Sequence, residues 1–221
     1  MTSIDNIEFA ENPDPRCPCV LLLDTSSSMK GAPIDALNVG VQLFRDELVK
    51  DSLASRRVEV AVVSFNTHVE VVQPFVTVNN FYPTPLTVQG FTSMGTAIER
   101  ALDLIQHRKN LYRMTGVAYY RPWVLMVTDG EPHGEADYVI HNAAARIREY
   151  ELENRLAFFA VGVQNASMDK LARISVRPPI QLHGLNFKDM FVWLSASMQL
   201  VSRSRVQEAI SVPTPNMFGA L

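Results

Sequence analysis

Apolar positions along the chain alternate between two periods, which indicates strands and helices in regular succession. Four consecutive apolar residues, Val20 to Leu23, fit a strand that is buried on both faces, as in a parallel sheet. Similar runs predict further strands at 58–65, 123–128 and 156–163, and Val69 to Val72 can form a short edge partner of the second strand.

The segments between these runs carry apolar residues at spacings of three and four. Such stripes predict amphipathic helices around 34–48, 94–105, 140–147, 168–174 and 187–201. Residues 73–90, with three prolines, and the basic, tyrosine-containing segment 106–122 are predicted to be irregular connections. The succession predicts an α/β fold with a single doubly wound, mostly parallel sheet and helices on both faces.

Composition narrows the class of protein. A chain of 221 residues suits one domain, and 20 basic against 23 acidic residues argue against electrostatic binding of nucleic acid. No stretch approaches the roughly 18 apolar residues of a membrane span, and the first 15 residues, with four carboxylates, do not resemble a secretory signal. Cys17 and Cys19 point to the same face of a strand, which is poor disulfide geometry, so we expect reduced, buried thiols and a cytoplasmic protein.

The first strand ends in one carboxylate and a cluster of hydroxyls. Asp24, Ser26 and Ser28 have alternate spacing and follow the strand at its carboxyl end, where open α/β sheets bind ligands. One charge and two neutral oxygens suit a hard divalent cation such as Mg²⁺. A hydroxyl-rich turn that only caps a helix is the alternative.

Two later segments have the same character. Thr92 lies where residues 90–95, GFTSMG, open a helix, and Asp129 ends the apolar strand at 123–128 and precedes a glycine. Taken singly, Thr92 could be a helix cap and Asp129 a turn residue. Together the three segments offer two carboxylates and three hydroxyls, which with water would complete an oxygen site of about six ligands.

The three segments resemble the metal-ion-dependent adhesion site (MIDAS) of the von Willebrand factor A (VWA) family, with its pattern D-x-S-x-S, then T, then D-G. The resemblance implies one antiparallel edge strand in the sheet. It also implies a VWA domain over residues 16–203, between an N-terminal extension, 1–15, and a C-terminal tail, 204–221. The family pattern assigns the metal to Asp24, Ser26, Ser28 and Thr92, with Asp129 binding directly or through water.

Within the family the chain is similar to a compact bacterial cytoplasmic branch of tellurium-resistance (TerY-like) and YegL-type proteins. The stretches that carry this similarity include LLLDTSSSMKGAPIDALN, GFTSMGTAIERAL and FKDMFVWLSASM. The similarity implies a bacterial stress or tellurite-resistance context. Phe91 departs from the pattern, because a glycine is common at its position.

A cation held by hydroxyls and only two carboxylates keeps net positive charge, so it can accept a Glu or Asp from a partner. We therefore predict a Mg²⁺-dependent protein-binding module, with Mn²⁺ or Ca²⁺ as alternatives. Met29, Phe91 and His133 are candidate partner contacts at the rim of the site. Packing against adjacent loops is the alternative for Met29 and Phe91, and a solvated turn position is the alternative for His133.

Two other functions are weaker on the sequence. A phosphoryl-transfer enzyme with Asp24 as nucleophile would need more carboxylates and a cation for phosphate, and only Lys30 lies close to the motif. The chain also lacks the glycine-rich phosphate-binding motifs, so we expect no enzyme activity. Nucleic-acid binding through segment 106–122 would show a steep salt dependence. The partner, the oligomeric state and the role of residues 211–221 stay open.

Overall fold

The computed structural model describes residues 9, 12–130, 132–206, 208, 210–213 and 219–220. These residues form one sheet with the strand order β3-β2-β1-β4-β5-β6-β7. The strands are β1 (Cys17–Asp24), β2 (Val58–Phe65), β3 (Val69–Thr77), β4 (Trp123–Thr128), β5 (Ala157–Gly162), β6 (Ile180–Leu182) and β7 (Gly219–Ala220).

The sheet confirms the predicted fold class. Strands β1, β2, β4, β5 and β6 pair in parallel, whereas β3 pairs antiparallel with β2 at one edge. At the other edge the two residues of β7 pair antiparallel with β6, so this part of the C-terminal tail is docked on the domain. Strand β1 lies between β2 and β4, and all eight of its residues are buried.

Helices cover both faces of the sheet. The helices are α1 (Ala32–Val49), α2 (Ala54–Arg57), α3 (Met94–Thr115), α4 (Asp137–Leu152), α5 (Met168–Ile174) and α6 (Phe187–Arg203). Alternate residues of β1 point to opposite faces, so Leu21 and Leu23 pack against α1 and α6, whereas Val20 and Leu22 pack against α3, α4 and α5. No helix among the described residues is long and apolar enough to cross a membrane.

The structure differs from the sequence prediction at two strands, β3, which is longer than predicted, and β6, which was not predicted. Strand β3 continues to Thr77, so residues 73–77 are not irregular; Pro74 is tolerated because β3 is an edge strand whose pairing with β2 shifts register near Val62. The three residues of β6 were not predicted, because so short a run gives no periodic signal.

The prediction of an irregular connection over 106–122 is wrong for its first part, because α3 continues to Thr115 and ends at Gly116 with a left-handed φ of 72°. The inward-facing positions keep helical spacing but carry polar groups, and Arg108, Lys109 and Tyr112 are all buried. Hydrophobic periodicity alone therefore stops at Ile105, although the helix does not.

Arg108 belongs to a buried, charged cluster near the amino end of β2. The Glu59 carboxylate accepts hydrogen bonds from Arg16 Nε at 2.9 Å and from Arg108 Nε and Nη2, both at 2.8 Å. The Tyr112 hydroxyl also donates to Glu59, and the Phe9 ring centroid lies 4.8 Å from the Arg108 guanidinium carbon. Arg16 and Glu59 have no exposed side-chain surface. Phe9, from the N-terminal extension, therefore packs on the domain.

The two cysteines are free and buried in β1, as predicted. Burial raises the pKa of the Cys19 thiol to about 12 and that of Cys17 further still, so neither forms the reactive thiolate at neutral pH. We expect a maleimide reagent to leave the native protein unmodified and to add twice after unfolding in denaturant, as read by intact mass. Rapid modification of the folded protein would contradict the buried placement.

Candidate metal site

The carboxyl ends of the adjacent strands β1 and β4 place two polar side chains together. Asp24, the last residue of β1, is fully buried, and its Oδ1 accepts a hydrogen bond from the Ser26 backbone N–H at 2.8 Å. Its Oδ2 accepts a hydrogen bond from the hydroxyl of Thr128, the last residue of β4, at 2.5 Å. The Asp24 side chain is therefore held in one position at the buried floor of the site.

A chain of hydroxyls leads from Asp24 toward solvent. Ser26 Oγ and Ser28 Oγ lie 2.9 Å apart, and the Ser28 hydroxyl donates to Asp129 Oδ1 at 2.8 Å. Ser26 is buried, Ser28 is exposed and Asp129 is partly exposed. The site thus has a buried floor and an open rim.

Thr92 lies in the loop before α3, which is the third loop of the site beside those that follow β1 and β4. Its backbone forms an antiparallel bridge with His133, with N···O distances of 3.3 and 3.0 Å. A Cβ built on Gly130 would lie 3.2 Å from Thr92 Oγ1 and 3.7 Å from Asp24 Oδ2. Gly130 therefore lets the loop after β4 approach both side chains, which a larger residue would crowd.

Backbone hydrogen bonds hold the three loops in register. Ser27 N–H donates to the Gly90 carbonyl at 3.1 Å, and Gln89 N–H donates to the Thr25 carbonyl at 2.9 Å. The Glu135 carboxylate accepts from the backbone N–H groups of Gly95, at 2.6 Å, and Thr96, at 3.1 Å. Glu135 thereby satisfies orphan donors at the start of α3 and links the third loop to the loop after β4.

The electrostatics of the site favour a cation. Burial raises the pKa of Asp24 to about 6, although hydrogen bonds from Ser26 and Thr128 oppose the shift, and burial also raises the pKa of Asp129. In the described part of the chain, no Lys, Arg or His forms an ion pair with either carboxylate. Two carboxylates and three neutral hydroxyls thus carry negative charge that a divalent cation would balance.

Hydroxyl ligands are essential to this interpretation. Within the described ranges, no group of three or more His, Cys, Asp or Glu side chains is arranged to hold a metal ion. With Asp24 and Asp129 as the charged ligands among the described residues, the donor set fits a hard ion that accepts neutral oxygens and retains water, as Mg²⁺ does.

The structure brings the predicted ligands together and separates the predicted partner contacts. Phe91 is 55% exposed, and its ring centroid lies 5.0 Å from that of His133, which is also exposed, so these two side chains share the rim. Met29 is fully buried, because the turn after Ser26 directs it into the core beneath α1, and it is therefore not a surface contact.

The sequence interpretation missed Thr128 and Glu135. Thr128 reads as the last residue of an apolar strand, although a hydroxyl directly before Asp-Gly at a strand end is itself a signal of a polar site. Glu135 gives no signal, because its target, the start of α3, is distant in the sequence and only the fold brings the two together.

Fold and site together define a VWA-type domain. The family model for the von Willebrand factor type A domain matches residues 19–191, so the chain belongs to this family. No protein with a curated description matches the sequence significantly.

Solved structures share the fold at low sequence identity. The pilus adhesin SpaC from Lactobacillus rhamnosus GG has a TM-score of 0.67 and 13% identity over 84% of this chain, which corresponds to only 30% of the SpaC chain. The vWF domain of the type V pili tip protein Mfa5 from Porphyromonas gingivalis has a TM-score of 0.63 and 11% identity, covering 87% of this chain and 98% of that one. BatB from Bacteroides thetaiotaomicron has a TM-score of 0.56 and 16% identity, covering 85% and 100%.

Proposed function

We propose that this domain is a divalent-metal-dependent protein-binding module. VWA domains mediate protein–protein interactions, and one of the structural neighbours, SpaC, is described as a pilus adhesin. One observation carries the proposal: Asp24 and Asp129 share a hydroxyl network at the sheet edge without a cationic partner among the described residues. A divalent cation would balance the charge of such a network.

Mg²⁺ is the proposed ion, with Mn²⁺ or Ca²⁺ as alternatives that ligand type does not separate. Asp24, Ser26, Ser28 and Thr92 would hold it, and Asp129 would bind it directly or through water. When bound, the ion supplies a Lewis-acidic position at the open rim. The carboxylate of a Glu or Asp on the partner would complete the coordination.

The rim would add selectivity to this contact. The edge-to-face pair of Phe91 and His133 stands beside the site, and the Phe91 backbone N–H is fixed by the Thr67 hydroxyl at 2.9 Å. An exposed aromatic anchor held in one position is typical of a residue that dominates a protein interface. We propose that Phe91 and His133 contact the partner around its acidic residue.

The similarity to the TerY-like and YegL-type branch suggests a cytoplasmic partner in a bacterial stress or tellurite-resistance system, and this context is part of the proposal. Phosphoryl transfer by Asp24 finds no support in the geometry. Asp24 is fully buried, both of its oxygens accept hydrogen bonds, and no described basic side chain pairs with it.

An affinity pull-down from bacterial lysate tests the proposal. The immobilised wild-type domain with Mg²⁺ should retain a partner that is lost with chelator and lost with Asp24→Asn. Asp35→Asn is the matched control, because Asp35 is an exposed carboxylate in the first turn of α1, and it should retain the partner. The captured partner should in turn lose binding when one of its own Asp or Glu residues is replaced.

Retention of the same partner under all four conditions would contradict metal bridging. Phosphate release from a small phosphoester with Mg²⁺, abolished by Asp24→Asn, would instead establish the enzyme alternative.

A further inference from the structure

A cavity lies at the amino ends of the parallel strands, opposite the metal site at their carboxyl ends. It has a volume of about 890 Å³ and opens beside the first residues of β4 and β5, Trp123 and Ala157. Each of these strands has six residues, so five residue steps, or roughly 17 Å, separate these positions from the carboxyl ends. The volume falls in the range of small-molecule sites.

The cavity wall combines aromatic and cationic side chains. Tyr119, Trp123 and Phe159 provide the aromatic surface. Five cations line the cavity, from Lys109, Arg113, Arg121, Arg155 and Arg177, whereas the only described carboxylate that lines it is that of Glu208, which accepts a hydrogen bond from the Arg205 backbone N–H at 2.8 Å.

Three of the cations have carboxylate partners. Arg121 and Arg177 share the Glu151 carboxylate, at 2.7 and 3.1 Å. Arg155 pairs with Glu149 at 3.2 Å and Glu153 at 2.7 Å. Lys109 and Arg113 form no ion pair with a described carboxylate, and the Arg113 guanidinium donates to the side-chain oxygen of Asn110, at 3.0 Å.

Lys109 is the most informative of these residues. It is only 5% exposed, and its ammonium lies 5.8 Å from the centroid of the Tyr119 ring. Burial lowers its pKa to about 8, and repulsion from Arg113 and Arg155 adds to the shift. Arg113, four residues later on α3, lies on the same helix face, where like charges destabilise each other. An ammonium that is largely shielded from water and lacks an anionic partner is costly, so an anion bound in the cavity would stabilise this wall.

We propose that this cavity binds a small organic phosphate, whose phosphate group contacts Lys109 and Arg113 and whose ring or apolar body packs on Tyr119, Trp123 and Phe159. A phosphomonoester carries a charge of about −1.5 to −2 at neutral pH, so it neutralises two adjacent cations where a carboxylate neutralises one. The aromatic wall adds an apolar surface that inorganic phosphate alone would not use. The proposal is independent of the metal site.

Calorimetric titration with three probes tests the proposal: adenosine monophosphate, inorganic phosphate and adenosine. The full chain is used with chelator present, and again as Asp24→Asn, so that neither metal nor the metal site contributes. Adenosine monophosphate should bind one site, more tightly than inorganic phosphate or adenosine. Absence of binding by both phosphate probes would overturn the proposal. Binding of single-stranded RNA without binding of the mononucleotide would also overturn it, in favour of a nucleic-acid surface.

Two variants localise the site. Lys109→Met keeps an unbranched side chain of similar length and removes its charge. Arg113→Met removes the guanidinium charge at an exposed position, where the shorter side chain does not threaten folding. Each should weaken binding of adenosine monophosphate roughly tenfold or more, the value of a charge-assisted hydrogen bond. Lys188→Met, an exposed lysine on α6, should bind as the wild type does. Equal affinity in all three variants would place the ligand elsewhere and refute the assignment.

Discussion

Glu59→Gln should lower the free energy of unfolding by about 3–5 kcal/mol, the usual cost of removing one partner from a buried ion pair. The Glu59 carboxylate is the common acceptor of Arg16, Arg108 and the Tyr112 hydroxyl. Glutamine keeps the volume but removes the negative charge that Glu59 supplies to two guanidinium groups, both of which are almost fully buried. The measurement is urea unfolding followed by circular dichroism.

Glu47→Gln is the control for this result. Its partner is Lys50, at 2.6 Å on the surface, and such exposed pairs contribute roughly 0–1 kcal/mol. If Glu59→Gln and Glu47→Gln lost similar stability, the buried ion pairs of Glu59 would contribute no more to folding than an exposed pair.

Asp24→Asn should abolish Mg²⁺ binding while making the metal-free protein more stable. Loss of a charged ligand should weaken the affinity for Mg²⁺ by roughly 100-fold or more, because removal of even a supporting group outside the coordination sphere lowers metal affinity by about 10–100-fold. Burial holds the Asp24 pKa at about 6, above its ordinary value of 3.8, so ionisation of Asp24 at pH 7 costs stability in the absence of metal. Asparagine removes that cost and can still accept from Ser26 N–H, for a net gain of roughly 1–2 kcal/mol.

The sign of the pH dependence follows from the same pKa. Because it is raised in the folded state, the folded protein binds more protons than the unfolded chain between about pH 4 and pH 6. The free energy of unfolding of the metal-free protein should therefore fall as pH rises through this window, and the Asp24→Asn variant should lack this contribution. The experiments are calorimetric Mg²⁺ titration and urea unfolding in chelator at pH 4.5, 5.5 and 7. A metal-free Asp24→Asn protein that was less stable than the wild type at pH 7 would contradict the proposed charge imbalance.

The alternation of periods predicted the α/β architecture because buried parallel strands and amphipathic helices leave distinct patterns. The ligand-bearing loops could also be predicted, since Asp24 and Asp129 directly follow apolar strands and a parallel sheet collects its carboxyl ends at one edge. The second half of α3 could not, because Arg108 and Tyr112 face inward against a carboxylate 49 and 53 residues away. Only the packed structure shows that these polar residues belong to the core.

The burial of Met29 illustrates the same limit. Sequence adjacency to Ser28 predicts proximity to the site, but direction depends on the backbone of the short 3₁₀ turn Ser27–Met29, which exposes the hydroxyl of Ser28 and buries the thioether next to it. Likewise, Lys109 reads as part of a solvated basic segment, and its burial follows only from the contact between α3 and the chain at Tyr119.

The two margins of the sheet protect the protein against self-association. Exposed edge strands are templates on which a second molecule can add its own strand, a common route to aggregation. On one margin Pro74 and a register shift interrupt the ladder of β3. On the other, Gly219 and Ala220 occupy the hydrogen-bonding positions of Leu182 and Gln181, and the Trp193 indole donates to the Pro213 carbonyl at 2.7 Å. The C-terminal tail thus serves as a cap, and strand-to-strand polymerisation would first have to displace it.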